Sequence, residues 1–527
     1  MQRGYEQLER PSGERVHCHV RSKHQCLLVG LLLGACVAAV SAVALAKSSE
    51  PEGPPEPPAM VCPSQLPDLI ENIVQASEFE GSTWGISVHS ADGKPLYTKN
   101  SQRLLVPASN NKLFTAAAAV AELGLNFSVV TPFFFNASTN TVCVKGQGDA
   151  STTFEQIATA AQTIARAANG SLPLELVVDN TAFPGFPTAW EYGDLPMPYG
   201  AVPQSFVVDG NAFTVFLSAP SVSAGVQVAL DPPWVSKYLK IQNEAVAVQG
   251  APDPQARASV TYQLGQSDVL LVAGQVKIQE SPEAFAFASL DPARHFAAAL
   301  SAALSAAGAA VNTVNTVNTA LNSAAAGSCS GLARNTEVSS VISPPLRSTL
   351  QHCLKMSDNL YAELFFRHVS ASLVASSSYS QAPAAVAGVL ARAFGINTSN
   401  HRVLQYDGSG LARRNLVSTG SLAQLLLSVQ RDKDIFDDFL YFLPVAGQDG
   451  TLRHRFQGTS AEGVLHAKTG TMTGVNALSG YVFAPNFGEK GEAVVFSMIN
   501  NGAVVPSAAV RNGIDRIGVL LAQLKNC

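Results

Sequence analysis

The 527-residue sequence has little charge and no basic bias. Lys, Arg, Asp and Glu together make up 14% of the residues, and the formal net charge is -5. A protein that binds nucleic acid presents a basic face to the phosphates, so this composition excludes that class of partner. With 47% hydrophobic residues, the chain can instead bury more than one core, as a globular enzyme or binding protein does.

The sequence also lacks the patterns of several common catalytic sites. No histidine stands where a Ser-His-Asp triad would need it, and His466 is interpreted as structural. The glycine turn GQGDA at 146–150 is not followed by the helix and lysine of a phosphate-binding loop. The His and Cys residues at 17–26 match no zinc-ligand spacing. We therefore expect no metal site.

One long hydrophobic run is present, the uncharged residues 27–46, which are numerous enough to cross a bilayer as a helix. Basic residues precede it and acidic residues follow it, so residues 1–26 are expected to be a cytosolic leader with the C-terminal bulk outside the cytoplasm. Residues 47–61 are interpreted as a proline-rich linker. The alternative is a cleaved signal peptide and a secreted protein, because the sequence ALA at 44–46 resembles a cleavage site.

Beyond this run the number of cysteines is odd, so at least one is unpaired within the chain. They are Cys62, Cys143, Cys329, Cys353 and Cys527. Cys62 and Cys527 lie near the two ends of the remaining chain, and a disulfide between them would staple the termini. Four Asn-x-Ser/Thr sequons, at Asn126, Asn136, Asn169 and Asn397, mildly support a secretory route.

Periodicity divides the rest of the chain into two kinds of segment. Residues 62–130 and 331–527 carry helical patterns followed by strands, including a predicted hairpin at 83–100 that turns at Asp92-Gly93. Residues 131–330 are rich in strands and in Pro/Gly turns, and are predicted to be one or two inserted β-rich domains. The simplest interpretation is one α/β domain interrupted by another, in which strands at 83–100 and 477–500 share a sheet.

Two finer expectations concern single segments. A helix is predicted from Ser109 to Leu123, with Gly124 ending it. The Ala/Ser/Asn-rich residues 297–327 are predicted to form a helix with a low-complexity loop at the repeat VNTVNTVNT.

Ser109 and Lys112 form the first motif with catalytic potential. They lie three positions apart, so both side chains share one helix face. A serine at a helix N-terminus with an amine within reach meets the requirement for an activated nucleophile. Alone, the pair is better explained as a helix cap with a nearby lysine.

Two later segments favour the catalytic interpretation. Ser357-Asp358-Asn359 lies between helical patterns, and Lys468-Thr469-Gly470 lies just ahead of a predicted strand. Ser-x-x-Lys, Ser-Asp-Asn and Lys-Thr-Gly in this order form the active-site set of penicillin-binding proteins and serine β-lactamases. Each motif alone can be explained as a helix cap, a turn or a solvated lysine. Such explanations do not account for the presence of all three motifs in this order.

The whole chain from about residue 64 resembles one family in particular. A large insertion between the first two motifs is found in the D-alanyl-D-alanine carboxypeptidase/endopeptidase family of low-molecular-mass penicillin-binding proteins, peptidase family S13. Longer stretches carry the same resemblance: AWEYGDLPMPYGAVPQSFVVDGN (189–211), YDGSGLARRNLVS (406–418) and LPVAGQDGTLRHRF (443–456). The resemblance implies an α/β (α+β) fold: a transpeptidase/β-lactamase-like domain with a central antiparallel sheet flanked by helices, interrupted by the β-rich insert.

The resemblance also implies a role for each motif residue. Ser109 would attack the carbonyl of the penultimate D-alanine, and Lys112, as a neutral amine, would take its proton. The charge of Lys468 and partial burial would both lower the pKa of Lys112. Ser357 would pass the proton to the leaving amino acid, and Asn359 would hold the substrate amide and position Lys112.

The third motif would bind the substrate and stabilise the transition state. Lys468, Thr469, Gly470 and Thr471 form the implied substrate-binding strand, with the first two on the terminal carboxylate. The backbone N–H groups of Ser109 and Thr471 would form the oxyanion hole. Water would then hydrolyse the acyl-enzyme, and this chemistry requires no metal or organic cofactor.

The implied activity is that of a serine D-Ala-D-Ala carboxypeptidase, with D,D-endopeptidase cleavage of cross-linked peptides as a second expected activity. Its expected partners are peptides ending in D-amino acids, with β-lactams as covalent inhibitors and a membrane reached by one N-terminal helix. A β-lactamase or a D-amino-acid amidase on the same fold is the nearest alternative. A non-catalytic receptor for muropeptides is the alternative from another class, although pure binding does not require Lys112.

Overall fold

A computed structural model describes most of the chain beyond the linker: residues 60–170, 173–278, 281–317, 329, 336–396, 402–489 and 492–527. The predicted leader (1–26), the predicted membrane helix (27–46) and almost all of the predicted linker (47–61) lie outside these residues. Among the residues that are described, no helix has both the length and the apolar character needed to span a bilayer.

Segments from opposite ends of the described chain build one five-stranded sheet. The sheet order is β18-β19-β20-β1-β2, with antiparallel pairing between each pair of neighbours. The strands are β1 (Thr83–His89), β2 (Pro95–Lys99), β18 (Leu465–Met472), β19 (Val475–Val482) and β20 (Val494–Asn501). The predicted hairpin at 83–100 and its pairing with the C-terminal strands are therefore confirmed.

Both faces of this sheet are covered, because successive side chains of a strand point to opposite sides. On β19, Ala477 and Tyr481 join a core that contains most of the helices. Leu478 and Val482, one residue further along, join a second core with the first and last helices. Burial on both faces explains why β19 is buried along its whole length.

The helices are numbered α1–α10 in chain order. They are α1 (Leu66–Val74), α2 (Lys112–Leu123), α3 (Phe154–Ala168), α4 (Pro292–Ala306), α5 (Leu346–Met356), α6 (Asn359–Val374), α7 (Ala382–Phe394), α8 (Thr419–Arg431), α9 (Lys433–Phe442) and α10 (Ser507–Ala522). Helix α2 ends at the predicted Gly124, whose φ of 77° is readily adopted only by glycine.

We call residues 130–342 the insert and the flanking segments the body. The insert contains a five-stranded sheet in the order β14-β5-β4-β3-β15, built from β3 (Val130–Asn136), β4 (Thr141–Lys145), β5 (Leu174–Asp179), β14 (Val311–Val317) and β15 (Thr336–Ile342). Helices α3 and α4 pack on it around one large apolar core. The predicted boundaries 62–130, 131–330 and 331–527 remain predictions.

Smaller sheets complete the insert. They contain β6 (Ala212–Ser218), β7 (Gln227–Asp231), β8 (Lys240–Asn243), β9 (Val246–Val248), β10 (Ser259–Tyr262), β11 (Val269–Ala273), β12 (Gln275–Lys277) and β13 (Glu283–Ala288). In the body, two short strands, β16 (Val403–Leu404) and β17 (Leu416–Val417), pair with each other.

The repeat VNTVNTV forms a strand and not the predicted loop. Val311–Val317 is β14, which pairs in parallel with β5 at the edge of the insert sheet. The β-branched side chains of Val and Thr favour extended backbone, and this preference outweighs the low complexity of the repeat. The predicted helix in this region is confirmed as α4, although it begins at Pro292 and ends at Ala306.

Two disulfides connect distant parts of the chain. Cys62 is bonded to Cys527, which confirms the predicted staple between the ends of the folded part. Cys143 is bonded to Cys329 within the insert. Cys353 is left as the buried free cysteine that the odd count requires.

Candidate active site

Ser109 lies in a short turn that leads into α2. The α-helix begins at Lys112, not at Ser109 as predicted, because residues Ala108–Asn111 form a 3₁₀ turn. Ala108 has a φ of 47°, in the left-handed region that alanine rarely adopts. Lys112 Nζ lies 2.9 Å from Ser109 Oγ, so the predicted nucleophile and base are in direct contact.

Close packing by a glycine maintains this unusual turn. A Cβ on Gly410 would lie 2.0 Å from the carbonyl oxygen of Ala108, far closer than any real contact. Asn111 also donates from Nδ2 to the carbonyl oxygen of Asp407, 2.9 Å away. The loop around residue 410 therefore presses directly on the turn that presents Ser109.

The second motif sits at the junction of α5 and α6. Ser357 ends α5 in the left-handed conformation, with a φ of 60°. Asp358 caps α6, because its carboxylate accepts a hydrogen bond from the N–H of Tyr361. Asn359 then accepts from Lys112 Nζ through Oδ1 at 2.6 Å and donates through Nδ2 to the carbonyl of Tyr199 at 2.8 Å.

The third motif lies within strand β18, and the sequence had predicted it just ahead of a strand. Lys468 Nζ donates to Ser357 Oγ at 2.8 Å and to the carbonyl of Thr469 at 2.9 Å. Thr469 Oγ1 lies 2.8 Å from Thr451 Oγ1. A Cβ on Gly470 would lie 2.8 Å from the carbonyl of Pro107, so this glycine allows β18 to pack against the turn bearing Ser109.

Strand β18 is the edge strand of the body sheet, so alternate peptide groups face away from β19. Ala467 N–H donates to the carbonyl of Pro444 on that outer side. The ladder with β19 is regular from Leu465 to Met472. Alternation therefore turns the N–H of Thr471 to the same open edge, as an oxyanion-hole donor requires.

These residues meet at a cavity of about 330 Å³ between the body and the insert. From the predicted set, Ser109, Ser357, Asn359 and Thr471 line it, while Lys112 and Lys468 are fully buried beneath them. The remaining lining residues are Glu191, Asp194, Tyr199, Gly410, Leu411, Arg413, Met472 and Thr473. Three motifs from remote parts of the sequence thus form one cleft.

Comparison with known proteins assigns the family. Residues 66–524 match the model of the D-Ala-D-Ala carboxypeptidase 3 (S13) family. The protein is a member of the S13 family.

Relatives extend over nearly the same length. Penicillin-sensitive carboxypeptidase A of Dictyostelium discoideum is 28% identical over 486 residues, covering 86% of this chain and 90% of that protein. The D-alanyl-D-alanine carboxypeptidase of Actinomadura sp. strain R39 is 28% identical over 482 residues, covering 87% and 85%. The crystal structure of penicillin binding protein 4 (dacB) from Haemophilus influenzae has a TM-score of 0.72 at 22% identity, covering 85% of this chain and 97% of that one, and supports the same mixed α/β fold.

The two buried lysines of this S13 protein differ in their surroundings. Burial lowers the pKa of Lys112, while the nearby Cys353, Asp407, Asp358 and Glu363 act in the opposite direction. Burial also holds the pKa of Lys468 well below 10.5, and the charge of Lys112 lowers it further. Of the two causes predicted for the low pKa of Lys112, burial is the main one in the structure, and the charge of Lys468 is not among the larger ones.

Backbone partners that no sequence motif indicates complete the S13 site. Ser409 accepts from Lys112 Nζ through its carbonyl oxygen, 2.8 Å away. The carboxylate of Asp407 shapes this loop, accepting from Trp190 Nε1 and from the N–H groups of Gly410 and Ala412 at 2.6–2.9 Å. Backbone carbonyls leave no side-chain signal in a sequence, so no motif could have revealed the contact of Ser409 with Lys112.

Proposed function

We propose that this S13 protein is a serine-type D-Ala-D-Ala carboxypeptidase that works through an acyl-enzyme on Ser109. The observation that carries the proposal is the 2.9 Å contact between Ser109 Oγ and the buried amine of Lys112, at the floor of an open cleft. The substrate class comes from the family and from the relatives named carboxypeptidases.

Acylation requires a base that is neutral when the substrate arrives. Burial lowers the pKa of Lys112, which favours the neutral amine. Ser109 Oγ then attacks the carbonyl carbon of the penultimate D-alanine while Lys112 Nζ accepts the hydroxyl proton. Asn359 Oδ1 and the Ser409 carbonyl hold the amine in line with Ser109, because both accept hydrogen bonds from Nζ.

Collapse of the tetrahedral intermediate needs a proton on the departing D-alanine. Ser357 Oγ, which lines the cleft, donates this proton as the C–N bond breaks. Ser357 takes up in its place the proton that Lys112 received from Ser109, so that Lys112 is neutral again. Lys468 Nζ, 2.8 Å from Ser357 Oγ, supports this transfer by its charge. Water subsequently attacks the ester carbon and gives a proton to Lys112 Nζ, which passes it to Ser109 Oγ as the ester bond breaks, so that Ser109 leaves as the free hydroxyl.

The substrate binds along the edge of β18. Thr469, Thr471 and the charge of Lys468 receive the terminal carboxylate, while Gly470 allows the strand to approach the Ser109 turn. The N–H groups of Ser109 and Thr471 receive the oxyanion, an interaction worth about 3–4 kcal/mol for each donor in other acyl-transfer enzymes. Asn359 holds the substrate amide.

A labelled penicillin added to the full-length chain tests this proposal. We expect one covalent adduct per chain, located on the peptide that contains Ser109 and absent from Ser109→Ala. Ser236→Ala is the matched control, because Ser236 is an exposed serine in the insert that bonds the Pro233 carbonyl. No adduct in the wild type, or an undiminished adduct in Ser109→Ala, would remove the mechanism.

A synthetic pentapeptide ending in D-Ala-D-Ala then separates the remaining alternatives. Release of D-alanine supports the carboxypeptidase, and cleavage of cross-linked dimers would add the endopeptidase activity. An adduct without D-alanine release would instead favour a D-peptide receptor, and rapid turnover of the penicillin would favour a β-lactamase.

We also propose that the catalytic part lies outside the cytoplasm, anchored by residues 27–46 or secreted after their cleavage. Two disulfides support an oxidising compartment, and Asn126 of one sequon is exposed. In sealed microsomes, added protease should leave the catalytic part intact. Its digestion without detergent would place it on the cytosolic side and refute the proposal.

A further inference from the structure

A buried carboxylate lies behind the cleft, one helical turn beyond Asn359. Glu363 is on α6 and is fully buried. Its Oε1 accepts a hydrogen bond from the N–H of Ser409 at 2.7 Å, and its Oε2 accepts from the Tyr379 hydroxyl at 2.9 Å. Both carboxylate oxygens are therefore held in place, although neither touches the cleft.

Glu363 is connected to Lys112 through a single residue. Ser409 donates its N–H to Glu363 and accepts from Lys112 Nζ through its carbonyl oxygen at 2.8 Å. Asn359 and Glu363 are four residues apart on α6, so they share one face of the helix. Two residues on this helix face therefore hold Lys112 in place: Asn359 directly, and Glu363 indirectly through the Ser409 peptide.

Charged and titratable groups face Glu363 from each neighbouring element. Arg367 follows on α6, Tyr379 comes from the segment before α7, Asp407 from the 407–410 loop, Lys112 from α2 and the buried thiol of Cys353 from α5. Arg367 directs its donors to the carbonyl oxygens of Ser377, Pro203 and Pro184 and stacks on the Tyr379 ring at 4.9 Å.

The ionisation of Glu363 falls in the physiological range. Burial raises its pKa to about 7, Asp407 adds to the increase, and the hydrogen bonds from Ser409 and Tyr379 oppose it. Once ionised, Glu363 favours the protonated form of Lys112, since its charge raises the pKa of that amine. The carboxyl therefore opposes the desolvation that makes Lys112 a base.

We propose that Glu363 is a positioning residue for acylation, which fixes Lys112 through the Ser409 peptide and couples its own ionisation to that of the lysine. The inference rests on the proposed function, in which Lys112 takes the Ser109 proton. The Glu363 carboxylate is not among the groups that line the cleft.

The test is the pH dependence of the second-order rate of acylation by labelled penicillin. Glu363→Gln keeps an oxygen that can accept from the Ser409 N–H but removes the charge. The pKa of Lys112 should then fall, and the acidic limb of the profile should move by about one pH unit toward lower pH. Where that limb lies above about pH 7, so that Glu363 is ionised in the wild type, the variant would acylate up to about tenfold faster than wild type.

Asp149→Asn is the matched control. Asp149 is also buried, and its carboxylate bonds Ser151 and Thr152 within its own loop. This variant should leave the acidic limb in place. A limb that does not move in Glu363→Gln, or moves equally in Asp149→Asn, would overturn the proposal.

Tyr379→Phe provides a second route if the glutamine variant does not fold. Loss of the phenol hydrogen bond raises the pKa of Glu363, so the carboxyl stays neutral to higher pH. The acidic limb should then also move toward lower pH, by less than in Glu363→Gln. A uniform loss of rate at every pH in both variants would indicate a purely structural role and contradict the proposal. Failure of the proposed function is distinguishable, because wild type itself would then form no Ser109 adduct.

Discussion

The body and the insert bury different kinds of side chain. In the described part of the chain, the fully buried lysine, arginine and glutamate side chains are Lys112, Lys468, Arg367 and Glu363, and all belong to the body. The insert core is formed by apolar residues such as Phe133, Phe206 and Phe296. Burying a charge is unfavourable unless the charge is fully hydrogen-bonded. The body therefore bears most of this cost, while the insert buries only the shorter carboxylates Asp149 and Asp179 among its described residues.

The two regions meet where the chemistry is proposed. Ala150, Phe183 and Val207 of the insert pack against Leu360 and Leu364 of α6. This contact supports the wall of the cleft that carries Tyr199, whose carbonyl accepts from Asn359. The contrast suggests that the insert supplies a rigid wall through apolar packing, while the body holds the reactive amines. Substitutions at the reactive amines of the body should therefore mainly change the acylation rate, and substitutions in the core of the insert should mainly change the stability.

The largest effect is expected from Lys112→Met. Loss of the general base should lower the acylation rate by roughly 10²–10⁴-fold. The unfolding midpoint should change little, because removal of a desolvated amine offsets the loss of its three hydrogen bonds. Penicillin labelling rates and thermal unfolding measure the two quantities. A large drop in the unfolding midpoint with an unchanged acylation rate would show that Lys112 serves stability and not activity.

Phe296→Ala should do the opposite in the insert. Phe296 is buried, with its ring centre 4.4 Å from that of Phe206 and 6.5 Å from that of Phe133. Its truncation should reduce the free energy of unfolding by about 3–5 kcal/mol. Urea unfolding gives this value, and acylation by the folded fraction should match wild type. A strong loss of acylation in folded protein would show that the insert core also tunes the site.

Replacing both Cys143 and Cys329 by serine should also weaken the insert, by about 2–4 kcal/mol. The crosslink joins residues 186 positions apart in sequence, so its loss frees a long loop in the unfolded chain. The measurement is the unfolding midpoint with and without reductant. Equal sensitivity of wild type and variant to reductant would contradict this assignment of stability.

The smallest predicted effect is a loss of stability in acid. Burial lowers the pKa of His295 in the insert to about 3 and that of His368 on α6 to about 4. The unfolded state binds these protons first, so stability is present above about pH 6.5 and declines as the pH falls toward 3–4. His295 alone should contribute on the order of 2 kcal/mol between pH 7 and 5.

His295→Asn should reduce the decline in the free energy of unfolding between pH 7 and 5, as measured by unfolding across this pH range. His368→Asn provides the parallel test in the body. An unchanged slope in both variants would mean that other groups govern the acid response.

Local sequence signals predicted the individual elements well. The hairpin at 83–100, the helix after Ser109 and its end at Gly124 follow from turn residues and periodicity, which act over a few positions. The repeat VNTVNTV was wrongly interpreted as a loop, because composition was weighed above the β-branched character of Val and Thr. The start of α2 shifted to Lys112, because tertiary contacts hold Ala108 in a conformation that no propensity predicts.

The sequence by itself determined which side chains are available for chemistry: the order and spacing of Ser-x-x-Lys, Ser-Asp-Asn and Lys-Thr-Gly, and the odd cysteine count. Only the tertiary structure decided which atoms meet, because three segments separated by more than 100 residues converge on one cleft. It also revealed Glu363, whose link to Lys112 passes through the peptide of Ser409. Hydrogen bonds through the backbone and burial from water depend on the folded chain, so no residue pattern encodes them locally.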